Sequence, residues 1–132
     1  MARLEETPLM RFMLDANALI LLLVGHPGVL ARLSECDDGD VGISAIAFGE
    51  VMLGSKLGKP PPPDVVDRLV ARFDILAYDE EAARVYSRLP FRRASFDRLI
   101  GAHALAADLV LVTADQGNFA NIPNLKREDW TQ

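Results

Sequence analysis

Residues 12–24 read FMLDANALILLLV, and the fold turns on how that stretch divides. Phe12-Met13-Leu14 is a short apolar run of strand type, Asp15-Ala16-Asn17 ends it, and Ala18 to Val24 begins a helix. The same alternation recurs downstream. Val29–Cys36 predicts a short helix, and Asp37-Asp38-Gly39-Asp40 is turn chemistry. Val41-Gly42-Ile43 reads as a second strand, with Ser44 as N-cap of a helix reaching about Leu57 and closed by Gly58. Pro60 to Pro63 make a stiff connector, after which Asp64 is the expected cap of a helix over Val65–Phe73. Ile75-Leu76-Ala77 predicts a third strand, and Asp79 caps a helix across Glu80–Leu89. An Ala-rich helix over Phe96–Ala107, a strand at Leu109–Val112 and an edge strand around Leu125 complete the chain. Such alternation implies one α/β domain over 11–132, with a mostly parallel sheet of four or five strands flanked by helices. Residues 1–10 read as a flexible leader.

Composition narrows the function classes. Half of the 132 residues are apolar and a quarter are charged, which is ordinary globular usage. Fourteen Lys and Arg against 19 Asp and Glu leave a formal charge of −5, unfavourable for non-specific nucleic-acid binding. The single Cys36 excludes a disulfide framework and multi-cysteine zinc modules. His26 and His103 are the only histidines, so a His-rich metal site is excluded too. The longest apolar run, Ala18 to Val24, is far short of the roughly 20 residues of a membrane span. Glu5 and Glu6 do not suit the positive start of a signal peptide. The expectation is a cytoplasmic protein.

Four carboxylates carry the chemistry. Asp15 and Asp115 follow predicted strands, and open parallel sheets bind ligands beyond the carboxyl ends of their strands. Glu50 shares a helix face with Ile46, Leu53 and Leu57, so it interrupts an apolar stripe. Asp97 stands at the N-terminal mouth of a helix whose expected buried face holds Phe96, Leu99, Ile100, Ala102, Ala106 and Ala107. Asp15, Asp97 and Asp115 each have a capping or dipole explanation taken singly, whereas a lone buried Glu50 carries a penalty unless paired or bound to a cation. Converging, they would repel one another, and a hard divalent cation relieves that. Mg²⁺ suits a few carboxylates plus waters, and acids without His or Cys point to phosphodiester hydrolysis by metal-activated water.

The motifs as ordered segments add a family. Leu14-Asp15-Ala16-Asn17, then Ile43-Ser44-Ala45 leading to Glu50, then Asp97-Arg98-Leu99-Ile100-Gly101-Ala102-His103-Ala104-Leu105 resemble a PIN-domain ribonuclease of the VapC toxin type. Val112-Thr113-Ala114-Asp115 with Asn118-Phe119, Ile122-Pro123, Leu125 and Glu128-Asp129-Trp130 continue the likeness. It implies Asp15, Glu50, Asp97 and Asp115 as the catalytic acids, with Asp15, Asp97 and Glu50 on Mg²⁺, for which Mn²⁺ substitutes. It implies an endoribonuclease, the toxin of a type II toxin–antitoxin pair, bound by a cognate antitoxin and paired as a homodimer. In the family the last motif often carries Asn where Asp115 stands and Asp where Asn118 stands, and the segment before Asp97 is shorter here.

Other residues take lesser roles. Arg88, Arg92, Arg93 and Arg98 cluster within eleven residues, and Arg92 and Arg93, leading into Asp97, are the RNA-contact candidates. The stretch Ala18–Val24 with Val51 and Met52 is a candidate groove for an antitoxin helix. His103 reads as a packed residue, His26 as a surface one, and Trp130 as an anchor of the tail. Two rivals stand beside this reading. A phosphoacceptor receiver domain would use Asp79 and Thr113 at strand ends, but it wants adjacent acids after the first strand and a lysine for which Lys126 is the only candidate. A degenerate PIN domain would bind a partner without cutting.

Overall fold

The structure is a computed structural model that describes residues 9–90 and 92–132. The leader expected over 1–10 therefore lies outside the described residues except at Leu9 and Met10. Five strands form one sheet: β1 (Phe12–Leu14), β2 (Val41–Ser44), β3 (Asp74–Leu76), β4 (Val110–Val112) and β5 (Arg127–Glu128). Their order is β3-β2-β1-β4-β5, and every neighbouring pair is parallel. Seven helices are described: α1 (Ala16–Leu23), α2 (Pro27–Ser34), α3 (Ala45–Lys56), α4 (Pro63–Val70), α5 (Glu80–Arg88), α6 (Phe96–Ala107) and α7 (Gln116–Phe119).

The sheet order decides between the rival readings. Receiver domains have the doubly wound order 2-1-3-4-5, whereas here the chain steps outward 1, 2, 3 and then crosses to 4 and 5. The receiver reading is overturned. In register, Leu14 of β1 lies between Ile43 of β2 and Val112 of β4. The residues that follow are Asp15, Ser44 and Thr113, so three adjacent strands deliver polar side chains to one edge of the sheet.

Local chemistry explains most boundaries. Asp15, Ser44, Asp79 and Ser95 each accept a backbone N–H as N-caps of α1, α3, α5 and α6. Asp64 departs from expectation. Pro62 takes the N-cap position of α4 without a side-chain bond, because Pro63 fits the first helical turn, and Asp64 falls one residue inside it. The edge strand also moves, from Leu125 to Arg127–Glu128. Its position is set by pairing Leu111 with Arg127 and Val112 with Glu128, not by any local strand pattern.

The core centres on β1, β2 and β4 with Leu19, Val29, Val66, Ile100 and Phe119. Trp130 is 1% exposed, meets the Phe12 ring edge-to-face at 5.1 Å and donates its indole N–H to Glu128 Oε1 at 2.9 Å, so it anchors the tail as expected. His26 does more than lie on the surface: its Nδ1 accepts the Gly28 and Val29 N–H groups at the start of α2. Among the described residues no single helix is long and apolar enough to cross a membrane.

Candidate active site

Asp15 leaves β1 at its carboxyl end and turns the chain into α1. Its Oδ1 accepts the Ala18 N–H at 2.7 Å, which satisfies one orphan donor of the helix. The residue is 3% exposed. Burial raises its carboxyl from 3.8 to about 6, and the charges of Asp97 and Asp115 push the same way against the Thr113 hydroxyl and the Ala18 N–H.

Glu50 arrives from the second turn of α3. Its Oε1 is buried and has no hydrogen-bond partner. Burial, then Asp97, then Asp15 raise its pKa. The expected reason for its placement is wrong, however. The stripe it was read into is not a buried face, because Leu53 is 58% exposed and Leu57 73%; the core face of α3 is Ala47, Val51 and Ser55. Glu50 is instead half-covered at the border between that core face and an exposed apolar one.

Asp97 and Asp115 are joined by a third residue. Asn118 Nδ2, on α7, donates to Asp97 Oδ2 at 3.0 Å and to Asp115 Oδ2 at 2.6 Å. Asp97 is half-buried and raised by burial, with the Asn118 bond opposing and the Asp115 charge adding. Asp115 is exposed, and its backbone N–H donates to Thr113 Oγ1 at 2.9 Å. Asn118 matters more to the geometry than its place in a motif indicates; its spacing of three residues from Asp115 across a one-turn helix is the signal.

All four expected acids therefore belong to one electrostatic neighbourhood. Among the described residues no group of three acidic, histidine or cysteine side chains lies together closely enough to hold a metal ion. Mg²⁺ needs none, since it binds through one or two carboxylates and keeps several waters. A buried, unpartnered Glu50 oxygen and an Asp15 carboxyl that gives up its proton near neutral pH are suited donors.

The basic residues separate. Arg88 points toward Glu81, at 3.9 Å. Arg92 and Arg93 are exposed on the coil before α6 and line, with Asp97 and Asn118, a cavity of about 370 Å³. Arg98, grouped with that loop from sequence, is buried on α6. The buried face of α6 runs over Arg98, Ile100, Gly101, Ala102, His103 and Ala104, whereas Phe96 and Ala107 are exposed. His103 is packed, as expected. Its Nδ1 lies 3.0 Å from Ser44 Oγ, its ring meets Tyr78 edge-to-face, and burial lowers its pKa. In the expected partner groove, Ile20 and Val24 are exposed and Met52 is half-buried, but Ala18, Leu19, Leu22, Leu23 and Val51 are core.

Comparison with known proteins agrees with this architecture. The sequence pattern of the PIN domain matches residues 12–125. The tRNA(fMet)-specific endonuclease VapC of Shigella flexneri is 27% identical over 132 residues, covering 93% of this chain and all of that protein. Its namesake from Salmonella typhimurium is 28% identical, over 92% of this chain and 99% of that one. Among solved structures, DNA-bound VapBC from Salmonella typhimurium superposes with a TM-score of 0.80 at 28% identity, covering 92% of this chain and 99% of that one. VapBC2 from Rickettsia felis, bound to a promoter DNA fragment, gives 0.78 at 25% identity with the same coverage.

Proposed function

Because this chain belongs to the PIN-domain family, we propose that it is a Mg²⁺-dependent endoribonuclease and the toxin of a type II toxin–antitoxin pair. The observation that carries the reading is the buried Glu50 Oε1, left without a hydrogen-bond partner beside the charges of Asp15 and Asp97. A native fold leaves such an oxygen bare at a considerable cost unless something binds it.

Asp15 and Asp97 are the residues that would hold the ion, with Glu50 beside them to hold a second ion or a water. When bound, Mg²⁺ supplies Lewis acidity toward a phosphodiester and toward water. The chain's own side chains do the positioning. The Ala18 N–H fixes the Asp15 carboxylate, and Asn118 ties Asp97 and Asp115 to one amide, which holds the two carboxylates relative to each other. Asp115, exposed and hydrogen-bonded, is placed to orient an incoming water rather than to carry the buried charge. Arg92 and Arg93 offset the repulsion between an acidic protein and a polyanion.

The purified chain, freed of any partner, should cut RNA in Mg²⁺ and not in EDTA; initiator tRNA is the first substrate to try, given what the relatives are named for. Asp97→Asn should lower the cleavage rate at least about a hundredfold while the circular dichroism spectrum stays unchanged. Cleavage that persists in EDTA overturns the mechanism.

An antitoxin is part of the same reading. Exposed Ile20 on α1 lines, with Val51 and Gly54 of α3, a groove of about 200 Å³ that has Glu50 in its wall, and Leu53 on α3 and the cap residues Val24 and Leu57 are exposed apolar side chains of the same two segments. An apolar helix laid over those residues, with an arginine reaching the acids, fits that surface. Co-expression with the product of an adjacent gene should yield a complex that no longer cuts; a partner that neither co-purifies nor inhibits counts against it. A homodimer and a cytoplasmic location complete the proposal, and light scattering of the isolated chain tests the first.

A further inference from the structure

Arg98 is an anomaly. It is 7% exposed, yet among the described residues no carboxylate lies within salt-bridge distance of it. Its Nη2 donates to the Pro90 carbonyl at 2.5 Å, while Nη1 is buried and makes no hydrogen bond. A guanidinium cannot shed its charge, so burial without a counter-ion is among the costlier arrangements a fold retains. Its surroundings indicate what is missing. Arg98 lines the cavity of about 370 Å³ shared with Arg92, Arg93, Asp97, Asn118 and Asn121. Three arginines there line the wall with a single carboxylate, and Asn121 adds an amide.

We propose that this cavity is a binding subsite for a phosphate oxyanion, with Arg98 as the buried fork that receives it and Arg92 and Arg93 closing over its outer oxygens. The geometry also gives the subsite an address. Asn118 lines the cavity and hydrogen-bonds both Asp97 and Asp115, and Asp97 belongs to the cavity wall as well as to the acid cluster. The anion therefore sits directly beside the acids. Resting on the ribonuclease reading, the anion is a backbone phosphodiester of the RNA next to the scissile one. Held there, it fixes the register of the strand without reading a base. The planar, bidentate geometry of arginine suits that task where lysine would not.

The test separates the subsite from the cleavage chemistry. Binding of a short fluorescent single-stranded RNA is followed by anisotropy in EDTA across a KCl series. Arg98→Lys, which keeps the charge and loses the fork, should weaken binding about tenfold. The exposed double variant Arg92→Ala/Arg93→Ala should lower the salt slope by about one to two. Oligonucleotides carrying one neutral methylphosphonate at successive linkages locate the contact. One position should cost wild type about tenfold, and should cost little in Arg98→Lys or, if that variant does not fold, in the double variant. Inorganic phosphate should compete weakly with the RNA in wild type; competition by phosphate without any linkage-specific loss means a general anion site and overturns the RNA assignment. Equal losses at every linkage in all proteins, with an unchanged salt slope, mean that Arg98 merely pins Pro90. Linkage-specific binding by a chain that cuts no RNA in Mg²⁺ leaves the subsite standing and removes the ribonuclease reading. Cleavage that is normal in Arg98→Lys and the double variant does the reverse.

Discussion

Asp15 shows what a site of this kind demands of one residue. Burial holds its carboxyl at about 6, above the ordinary 3.8, so the folded chain binds that proton more tightly than the unfolded one does. The associated stability is present at low pH and is lost as pH rises from about 4 through about 6. Without metal, ionised Asp15 costs the fold roughly 3 kcal/mol at pH 7. Asp15→Asn keeps an acceptor for the Ala18 N–H and removes the charge. The metal-free variant should therefore be more stable than wild type at pH 7, by up to about 3 kcal/mol, and the gain should vanish below pH 4. Urea midpoints at the two pH values measure it; a loss of stability at pH 7 would mean that the carboxylate is satisfied by the protein itself. At this scale the acids were legible as an ordered group and not singly, because a carboxylate at a helix start has a capping or dipole role of its own and the buried stripe expected around Glu50 is not there. Arg98 was not. Its charge placed it with the exposed arginines before α6, and only the packing of α6 against its neighbours shows which side of the helix it occupies.

Some helix starts were equally legible, since a cap is a local bargain between one side chain and one or two N–H groups, but α1, α2 and α4 each begin two residues earlier than the sequence suggests. Ser44, Asp79 and Ser95 all cap helices that the sequence alone locates. β5 was misplaced because its two residues are a strand only by virtue of their pairing with β4. Contacts between distant segments were likewise invisible. Gly28 lies in the first turn of α2, where a side chain is normally tolerated, but a Cβ there would stand 2.8 Å from the Trp130 carbonyl oxygen. Gly28→Ala should thus cost about 1–3 kcal/mol as the tail is pushed off α2. Thermal melts should show the loss, accompanied by increased Trp130 fluorescence quenching by acrylamide. An unchanged melting temperature would show that the tail gives way freely.

For the whole molecule, alternation of strand and helix sufficed to infer a parallel sheet, but not its order, which is settled by pairings between residues far apart in the chain. Trp130 closes that assembly by covering Phe12 of the central strand. Trp130→Ala should cost about 3–5 kcal/mol, a large part of the stability of any domain this size. A change under about 1 kcal/mol in a urea titration would contradict the packing described. The order β3-β2-β1-β4-β5 has a further consequence, one of timing during synthesis. Asp15 emerges from the ribosome early, but β4, which lies against β1, and Asp97 and Asp115, which share its electrostatic field, follow some 80 to 100 residues later. At about 5–20 residues per second that is a delay of several seconds to about twenty. Throughout it the growing chain carries Asp15 with no site around it, so the proposed nuclease would stay inert until synthesis is almost finished.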